Sequence, residues 1–274
     1  DGLIEVSVNG DVSAFDPTGI ALVRVFGLGG NDRIVVREAV ASVPESTPPD
    51  KPFDIPVSMN GGGGNDTLIG GSEQDFLNGA GGRDSIWGGD GGDLLRGGEG
   101  RDTLNGYTGD DTLWGGGGVD TVTYHDAGGN CGISIDDLAN DGPATLGGKN
   151  AVPLEHPEHD NVHSDIENVI GSFGNDTITG SDGDNYLFGG NGSDSINGGK
   201  GNDTLNGGLQ SDLLFGGEGI DTVDYSDRVV KLRVSLDDLA DDGQLQTPLM
   251  NREHDNAHSD IENVLGGRGN DRIV

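Results

Sequence analysis

Aliphatic residues recur along most of this chain at intervals of nine, and a glycine-rich segment separates each from the next. Residues 61–123 divide into seven consecutive segments of nine without a slip, and residues 171–224 divide into six more. In every segment the first position is Gly and the eighth is Leu, Ile or Val. The sixth position is Asp in twelve segments and Asn185 in the thirteenth. A fixed period over such lengths indicates a repeat architecture that stacks along one axis.

Each nine-residue segment predicts one turn followed by one short strand. Glycine permits positive φ and close backbone approach, so the first six positions predict a tight turn with exposed carbonyls. Positions seven to nine predict a three-residue strand whose central aliphatic side chain points inward. Two segments make one 18-residue coil, and stacked coils bury the aliphatic residues in a thin core. We therefore predict an all-β fold, a right-handed parallel β-roll solenoid.

A second and longer repeat lies outside these arrays. Residues 119–124 match 220–225 and residues 134–139 match 235–240 at an offset of 101, while residues 159–169 match 254–264 at an offset of 95. Residues 162–170 and 257–265 are expected to rejoin the nine-residue register. The predicted organisation is an N-terminal β segment (1–60), a first array (61–123), an acidic connecting block (124–170), a second array (171–224), a second copy of the block (225–265) and the start of a third array (266–274).

The N-terminal segment predicts strands, one isolated repeat and a loop. Residues 3–8 and 21–26 have the composition of strands, and Asn9-Gly10 predicts a hairpin turn. Residues 27–35 form one isolated nine-residue unit with Asp32 at its sixth position. Five of the ten prolines fall between residues 36 and 60, which predicts an exposed loop that interrupts the coil.

Composition shows that a hydrophobic core alone does not explain an ordered fold. The chain has 53 glycines, a net charge of −33 and only 31% hydrophobic residues, against roughly 45–50% in typical domains. High charge with low hydrophobicity is typical of disordered chains, so an ordered structure needs another source of stability. The charge disfavours nucleic acids and anionic membranes, and no apolar run is long enough to span a bilayer. The N-terminus lacks the features of a signal peptide, and Asp1 in place of Met suggests a processed chain.

The aspartates indicate where that stability comes from. Stacked coils place sixth-position carboxylates of alternate segments about 4.8 Å apart, where they repel by roughly 3.5 kcal/mol at an effective dielectric near 20. We therefore expect a cation between them, with turn carbonyls as the only other groups nearby. Carboxylates and carbonyls form a hard oxygen site that suits Ca²⁺, whereas Zn²⁺ prefers Cys and His and Mg²⁺ a stricter octahedron.

The nonapeptides resemble RTX (hemolysin-type) calcium-binding repeats, whose pattern is GGxGxDxUx. The resemblance implies that each ion lies between neighbouring turns on one edge, held by both sixth-position side chains and by carbonyls of early turn positions. The implied pairs are Asp66–Asp84, Asp84–Asp102, Asp102–Asp120, Asp75–Asp93, Asp93–Asp111, Asp176–Asp194, Asp194–Asp212, Asn185–Asp203 and Asp203–Asp221, or about nine ions. The implied carbonyl ligands are those of Gly62, Gly64, Gly71, Gly82, Gly89, Gly91, Gly98, Gly100, Gly109, Gly116, Gly118, Gly174, Gly183, Gly190, Gly192, Gly199, Gly201, Gly208, Gly217 and Gly219.

Further acidic residues are candidates for sites at the ends of the arrays, and three residues depart from the pattern. The additional candidates are Asp32, Asp160, Asp165, Glu167, Asp255, Asp260, Glu262 and Asp271. Asn185 offers a neutral oxygen, so its edge should bind Ca²⁺ more weakly. Glu73 and Gln210 replace a turn glycine and are expected to strain their turns.

The resemblance implies a Ca²⁺-binding module of a secreted or surface bacterial protein. Such a module folds on binding Ca²⁺, supports export by type I secretion and stabilises attached domains. We expect an extracellular location and no enzymatic activity of its own. The expected partners are calcium ions, with a neighbouring domain or a surface glycan as a further possibility.

Two other functions stay open at this stage. An adhesin or surface-layer module would use outward aromatic residues, which are Phe76, Trp87, Trp114, Tyr186, Phe188 and Phe215. A β-helix polysaccharide-modifying enzyme would need a basic residue such as Arg83 or Arg101, but these fall within the turns. The paired histidines of residues 159–163 and 254–258 superficially resemble a zinc motif, although structural roles fit them better. Cys131, the single cysteine, is expected to be a buried or incidental thiol.

Overall fold

The computed structural model describes residues 4–15, 20–38, 55–143, 145–146, 152–153, 159–244 and 254–274. The regular structure within these residues is entirely strand, so the all-β prediction is confirmed. The chain divides into two compact units, of which the first comprises residues 1–122 and 159–166 and the second residues 123–158 and 167–274. Within the described ranges, no helix has the length and apolarity needed to cross a membrane.

The strands follow one another at short intervals along the chain. The first twelve are β1 (Ile4–Val8), β2 (Asp11–Phe15), β3 (Val23–Phe26), β4 (Arg33–Glu38), β5 (Val57–Gly63), β6 (Thr67–Ile69), β7 (Phe76–Gly82), β8 (Ser85–Asp90), β9 (Leu94–Gly100), β10 (Thr103–Thr108), β11 (Thr112–Gly118) and β12 (Thr121–Thr123). The others are β13 (Cys131–Ser134), β14 (Ala139–Pro143), β15 (Thr145–Leu146), β16 (Val152–Pro153), β17 (Asp160–Val162), β18 (Asn168–Ile170), β19 (Thr177–Thr179), β20 (Tyr186–Asn191), β21 (Ser195–Lys200), β22 (Thr204–Leu209), β23 (Leu213–Glu218), β24 (Thr222–Asp224), β25 (Leu232–Val234), β26 (Gly243–Gln244), β27 (Asn256–Ala257), β28 (Asn263–Leu265) and β29 (Arg272–Ile273).

Successive strands of each array alternate between two sheets. In the first unit the strand orders are β2-β1-β4-β6-β8-β10-β12 and β17-β11-β9-β7-β5-β3. In the second they are β18-β20-β22-β24-β28 and β27-β23-β21-β19-β13-β14, with β26-β25-β29 and β15-β16 as small sheets. Array strands pair in parallel with a spacing of 18 residues, as Ser85 does with Thr103. The predicted parallel β-roll of 18-residue coils is therefore confirmed.

The core of each roll consists of the eighth-position side chains. Leu77, Ile86 and Leu95 are fully buried, and so are Ile196 and Leu205 in the second unit. Neighbouring strand residues are mostly half-buried on the outer faces. Burial of one such aliphatic side chain contributes roughly 1.5–3 kcal/mol. Because each of these side chains packs against the coils next to it, a coil gains this stability only from its immediate neighbours.

Most array strands are longer than the predicted three residues. β6 and β12 have three residues, whereas β9 and β11 have seven. The strands lengthen because the turn backbones also pair between coils, as Gly116 does with Gly98 and Gly117 with Glu99. The turns are thus stacked in register, which brings equivalent turn atoms of neighbouring coils close together.

The N-terminal segment completes the first coils of the roll. The predicted hairpin at Asn9-Gly10 joins β1 and β2, and Ile34 of the isolated repeat pairs with Leu68. The predicted proline-rich loop is wrong at both ends, because β4 extends through residue 38 and β5 begins at Val57. Val57 is buried because β5 supplies core residues to the next coil. The rest of that loop, residues 39–54, lies outside the described residues.

The connecting blocks join the coil in a register that differs from the predicted one. Val162 pairs with Leu113 and Ala257 pairs with Leu214, so both occupy eighth positions instead of first positions. The second half of each block does follow the expected register, since Val169 pairs with Leu187. The turn between the halves is therefore shorter than a nonapeptide turn, which explains why the simple count fails.

Each block also begins with a repeat that the sequence pattern does not reveal. Ile133 pairs with Ile178 and Val234 pairs with Ile273, which are both eighth-position residues. Residues 126–134 and 227–235 are therefore degenerate nonapeptides without an acid at the sixth position. They follow the arrays after a two-residue insertion, Tyr124-His125 or Tyr225-Ser226, and this slip hides them from a strict nine-residue count.

Candidate metal centre

The sixth-position carboxylates form ladders along the turns. Asp84 Oδ1 accepts the backbone N–H of Asp66 at 2.7 Å, and Asp102 Oδ1 accepts that of Asp84 at 2.8 Å. In the same way, the backbone N–H of the sixth-position residue of the preceding coil donates to Oδ1 of Asp93, Asp111, Asp120, Asp194, Asp203, Asp212 and Asp221. A hydrogen bond to a charged acceptor contributes about 1.5–3 kcal/mol. The expectation that only a cation and carbonyls surround these carboxylates is therefore wrong, because a backbone amide binds one oxygen of each.

The second carboxylate oxygen lies against the glycine that begins the same turn. An ideal Cβ on Gly61 would lie 2.3 Å from Asp66 Oδ2, and one on Gly79 would lie 2.2 Å from Asp84 Oδ2. The first position is invariably glycine because this oxygen occupies the space of a side chain. Buried Oδ2 atoms without a hydrogen-bond partner belong to Asp32, Asp66, Asp84, Asp93, Asp102, Asp194, Asp203 and Asp221. An uncompensated buried carboxylate oxygen is costly, so these positions favour a cation.

Carbonyls at the second and fourth positions face the next turn on the same edge. A Cβ on Gly82 would lie 1.7 Å from the Gly64 carbonyl oxygen, and one on Gly100 would lie 1.5 Å from that of Gly82. Both glycines have positive φ, +135° and +147°. The buried Oδ2 atoms described above and the carbonyl oxygens that face a neighbouring turn together form an all-oxygen donor set. Such a donor set fits Ca²⁺. No cluster of three or more His, Cys, Asp or Glu side chains suited to a metal occurs among the described residues, so an ion at these turns depends on backbone carbonyls.

Three array turns have a different conformation, in which the sixth-position side chain bonds to its own turn. The bonds run from Gly71 N to Asp75 Oδ2 at 2.6 Å, from Ser172 N to Asp176 Oδ2 at 2.7 Å and from Ser181 N to Asn185 Oδ1 at 2.7 Å. Positive φ is absent at the second and fourth positions of these three turns but present at both positions of the other array turns. We call residues 70–75, 171–176 and 180–185 closed turns and the others open turns. A cation at a closed turn must therefore compete with this backbone amide for the side-chain oxygen that the amide binds.

The residues that depart from the pattern behave differently from one another. Gln210 adopts φ of +86°, which is strained for a residue with a Cβ, as predicted. Glu73 has no positive φ, because its turn is closed, so the strain predicted there is absent. Asn185 keeps an oxygen toward its turn, and its Nδ2 donates to the Glu167 carbonyl at 3.0 Å. The side-chain amide of Asn185 thus fits the sixth position but brings no negative charge to it.

Most end-of-array candidates continue the carboxylate ladders. Asp160 Oδ1 accepts Asp111 N at 2.9 Å, Asp255 Oδ1 accepts Asp212 N at 3.0 Å, Glu262 Oε2 accepts Asp221 N at 2.8 Å and Asp271 Oδ1 accepts Leu232 N at 3.0 Å. At the N-terminal end the amide of Asp32 donates to Asp66 Oδ1 at 2.7 Å. Each ladder therefore reaches one coil beyond the array itself.

Two candidates contact a turn in another way. Asp165 accepts the amides of Gly115 and Gly116 at 3.2 and 2.9 Å, and Asp260 accepts the equivalent pair in the second unit. Both carboxylates thus bind the first two amides of the last array turn in their unit. The backbone carbonyl of Glu167 accepts the N–H of Tyr186 at 3.1 Å.

The histidines of the connecting blocks pack against aromatic residues of the arrays. The rings of Trp114 and His163 are 4.7 Å apart, and those of Phe215 and His258 are 3.9 Å apart. Arg96 lies 4.1 Å from the centroid of the Trp114 ring. Both histidines thus take part in the packing of a connecting block against its array.

The adhesin and enzyme alternatives gain little from the structure. Of the six outward aromatic residues, only Tyr186 is exposed, with an exposed fraction of 37%. The other five are half-buried. Arg83 and Arg101 are exposed on their turns. Cys131 is buried, as expected, and its backbone amide donates to Asp176 Oδ1 at 2.7 Å.

Burial makes the inner carboxylates hard to ionise without a counter-charge. Burial raises the pKa of Asp93 to about 8 and that of Asp194 to about 7, from an ordinary value of 3.8. It raises the pKa of Asp75, Asp84 and Asp203 to about 6. The amide bonds lower these pKa values only in part, and neighbouring acids raise them further. At neutral pH Asp93 and Asp194 are therefore at least partly protonated in the absence of a cation, and each ionised carboxylate of this set favours a cation.

The stability of the metal-free chain should depend on pH in a defined direction. Because the folded pKa values of about 6–8 exceed the ordinary 3.8, the folded state binds more protons and gains stability as pH falls. This contribution is complete below about pH 4 and is lost as pH rises through 6 to 8. We expect the β signal of the metal-free chain in circular dichroism to increase from pH 8 to pH 5. Sodium chloride at pH 8, which screens general repulsion without protonating carboxylates, is the control; an equal increase with salt alone would contradict the prediction.

Comparison with known families agrees with this geometry. A sequence model described as the RTX calcium-binding nonapeptide repeat matches in four copies, over residues 60–95, 87–122, 164–196 and 188–223. No curated protein matches the chain. The four copies cover all but the last residue of each array, and the carboxylate ladders and the facing carbonyls recur within these residues. Both arrays of this chain therefore belong to the family of RTX calcium-binding nonapeptide repeats.

Proposed function

We propose that this calcium-binding β-roll is a folding module of a secreted or surface bacterial protein. It stays extended at the low Ca²⁺ concentration of the cytoplasm, folds in extracellular Ca²⁺, and thereby supports export and stabilises attached domains. The observation that carries this proposal is the open turn. In open turns such as those of Asp84 and Asp102, a buried carboxylate oxygen has no hydrogen-bond partner, and carbonyls face the neighbouring turn.

Binding and folding are coupled in this proposal because the donors come from different coils. An ion between two turns uses side chains 18 residues apart, such as Asp84 and Asp102, so the site exists only when the coils are stacked. The binding free energy then contributes directly to folding. Weak extracellular-type affinities, with Kd of about 10⁻⁴–10⁻³ M, would separate the two compartments.

The proposed sites fall into two classes. Six of the nine pairs join two open turns, whereas Asp75–Asp93, Asp176–Asp194 and Asn185–Asp203 each include one closed turn. At a closed turn Ca²⁺ must displace or share an amide hydrogen bond. We therefore propose that the open pairs fill first and the closed pairs last.

Calorimetry with parallel circular dichroism tests this function. Titration of the metal-free chain with Ca²⁺ should show binding of about nine ions within the arrays, accompanied by a gain of β structure. Mg²⁺ and Zn²⁺ at equal concentrations should produce a much smaller gain, since the donor set suits neither ion. Absence of Ca²⁺ binding, or folding that Zn²⁺ drives equally well, would refute the proposal.

Exchange of Asp and Asn at the sixth position should shift the calcium dependence in opposite directions. Asn185→Asp adds a charge at the weak pair and should lower the Ca²⁺ concentration at the folding midpoint. Asp102→Asn removes a charge shared by two pairs and should raise that midpoint severalfold. Both substitutions preserve side-chain size, so circular dichroism at saturating Ca²⁺ serves as the control for the fold. Equal midpoints for the two variants would exclude the assigned role of these side chains.

A further inference from the structure

The turn of residues 27–32 has the open form although it lies outside the arrays. Leu28 and Gly30, at its second and fourth positions, have positive φ of +79° and +104°. Their carbonyl oxygens would lie 2.2 and 2.0 Å from Cβ atoms added to Gly62 and Gly64 of the next turn on this edge. The Leu28 side chain is 82% exposed, so its packing does not explain a conformation that is strained for a residue with a Cβ. The conformation instead places the Leu28 carbonyl where the open turns of the arrays place theirs.

Two carboxylates meet at this step in the arrangement found within the arrays. Asp32 is 7% exposed and Asp66 is 2% exposed, and Oδ2 of each is buried without a hydrogen-bond partner. The backbone N–H of Asp32 donates to Asp66 Oδ1 at 2.7 Å. A Cβ on Gly27 would lie 2.5 Å from Asp32 Oδ2, just as one on Gly61 would lie 2.3 Å from Asp66 Oδ2. This step therefore offers a cation the same oxygen donors as an open step of the arrays, although 34 residues instead of 18 separate its carboxylates.

A hairpin, and not another coil, precedes this step in the sheet. β4, which begins in the unit of residues 27–35, pairs in parallel with β6 but antiparallel with β1 of the hairpin. Within the arrays the sixth residue of the preceding coil supplies two backbone bonds to the next coil. The N–H of Asp66, for example, donates to Asp84 Oδ1, and its carbonyl accepts the N–H of Ser85. An antiparallel strand presents its backbone groups in a different pattern, so the hairpin must supply these two bonds in another way.

The side-chain amide of Asn9, in the hairpin turn, supplies both bonds. Its Nδ2 donates to Asp32 Oδ1 at 2.6 Å, and its Oδ1 accepts the N–H of Arg33 at 2.7 Å. These partners are the sixth and seventh residues of the unit, which a peptide group of a preceding coil would bind. Asn9 has φ of +54°, a conformation that Gly adopts equally well in such a turn. The turn itself therefore does not require the amide.

We propose that the Asn9 side chain replaces the peptide group of a preceding coil and thereby completes a calcium site between Asp32 and Asp66. The amide holds Asp32 Oδ1, so that Oδ2 stays inside the step, where the carbonyls of the open turn face the turn of residues 61–66. The ion would join the N-terminal unit to the first array. The inference rests on the proposed function, because it assumes that the open steps of the arrays bind Ca²⁺.

Hydrogen exchange measured segment by segment along a Ca²⁺ titration tests the proposal. Asn9→Gly removes the amide but leaves a residue that adopts positive φ freely, and Asp32→Asn removes the charge but keeps the size. In both variants the Ca²⁺ concentration that half-protects residues 27–35 should rise severalfold, while that for residues 94–118 should keep its wild-type value. Asp11→Asn, which removes a charge from an exposed residue of the same hairpin, is the control and should change neither midpoint.

A count of bound ions completes the test and separates this inference from the proposed function. Asp32→Ala should bind one Ca²⁺ fewer than the wild-type chain by native mass spectrometry. A wild-type chain that binds no Ca²⁺ would refute the proposed function itself. If the arrays bind Ca²⁺ but Asp32→Ala loses no ion, only the additional site is refuted.

The role of Asn9 is decided by its own variant. If Asp32→Ala loses an ion while Asn9→Gly keeps the wild-type midpoint for residues 27–35, the amide does not position the site. Should Asp32→Ala fail to fold at any Ca²⁺ concentration, Asp32→Asn decides in its place. A wild-type midpoint for residues 27–35 in that variant would then contradict a calcium ion at Asp32.

Discussion

Chelation of Ca²⁺ at pH 8 is expected to abolish most of the β structure of this chain. The arrays bury a row of carboxylates on each edge, and burial holds the pKa of Asp93 and Asp194 at about 8 and 7. Without a cation, these groups must either take up protons at a pH that disfavours it or remain charged in a low-dielectric environment. The thin core of one aliphatic side chain per turn does not offset that cost, so the coils should separate.

Far-UV circular dichroism before and after addition of EGTA measures this effect. We expect a loss of the β signal, an increase in the radius of gyration by small-angle X-ray scattering, and recovery of both on re-addition of excess Ca²⁺. Mg²⁺ in place of Ca²⁺ is the control for a general effect of divalent charge. If the spectrum in EGTA equals that in Ca²⁺, the calcium-dependent origin of the fold is wrong.

The sequence predicts the array structure well because every position in a coil depends on the coils next to it. The glycine at position one, the acid at position six and the aliphatic residue at position eight each report one local contact, such as that between Gly79 and Asp84. With thirteen repeats of the same contact, the period defines both the 18-residue coil and the core. The same logic identifies Ile34 as part of an additional coil.

The connecting blocks are less predictable because their register depends on insertions and shortened turns. Tyr124-His125 and Tyr225-Ser226 shift the count by two residues, and the units that follow contain Cys131 or Leu232 where an acid is expected. The pairing of Ile133 or Val234 with the next coil reveals the repeat. A search that allowed a slip of two residues after each array would have found both units.

Within the site, the sequence identifies the acids but not how their oxygens differ. Oδ1 of Asp102 is bound to a backbone amide, while its Oδ2 is buried without a hydrogen-bond partner. The closed turns were also missed, although Ser172 and Ser181 at the second position provide a signal. Serine enters positive φ reluctantly, and each hydroxyl supports the closed form by accepting the N–H of the turn residue two positions later. The position of each oxygen depends on turn conformation, which a residue pattern does not specify.

Replacement of Gly100 by alanine should destabilise the folded roll far more than the same change at Gly63. Gly100 has φ of +147°, and an added Cβ would lie 1.5 Å from the Gly82 carbonyl oxygen, which belongs to the stacked backbone. The backbone strain alone costs roughly 1–3 kcal/mol, and displacement of that carbonyl would also distort the proposed calcium position. Gly63 lies two coils earlier on the same edge of the array, but its φ is not positive and nothing lies within 4 Å of an added Cβ. Thermal unfolding in saturating Ca²⁺ should therefore show a clear decrease in Tm for Gly100→Ala and a change within about ±0.5 kcal/mol of stability for Gly63→Ala. Equal effects at the two positions would mean that the close stacking of turn carbonyls on glycine does not stabilise this fold.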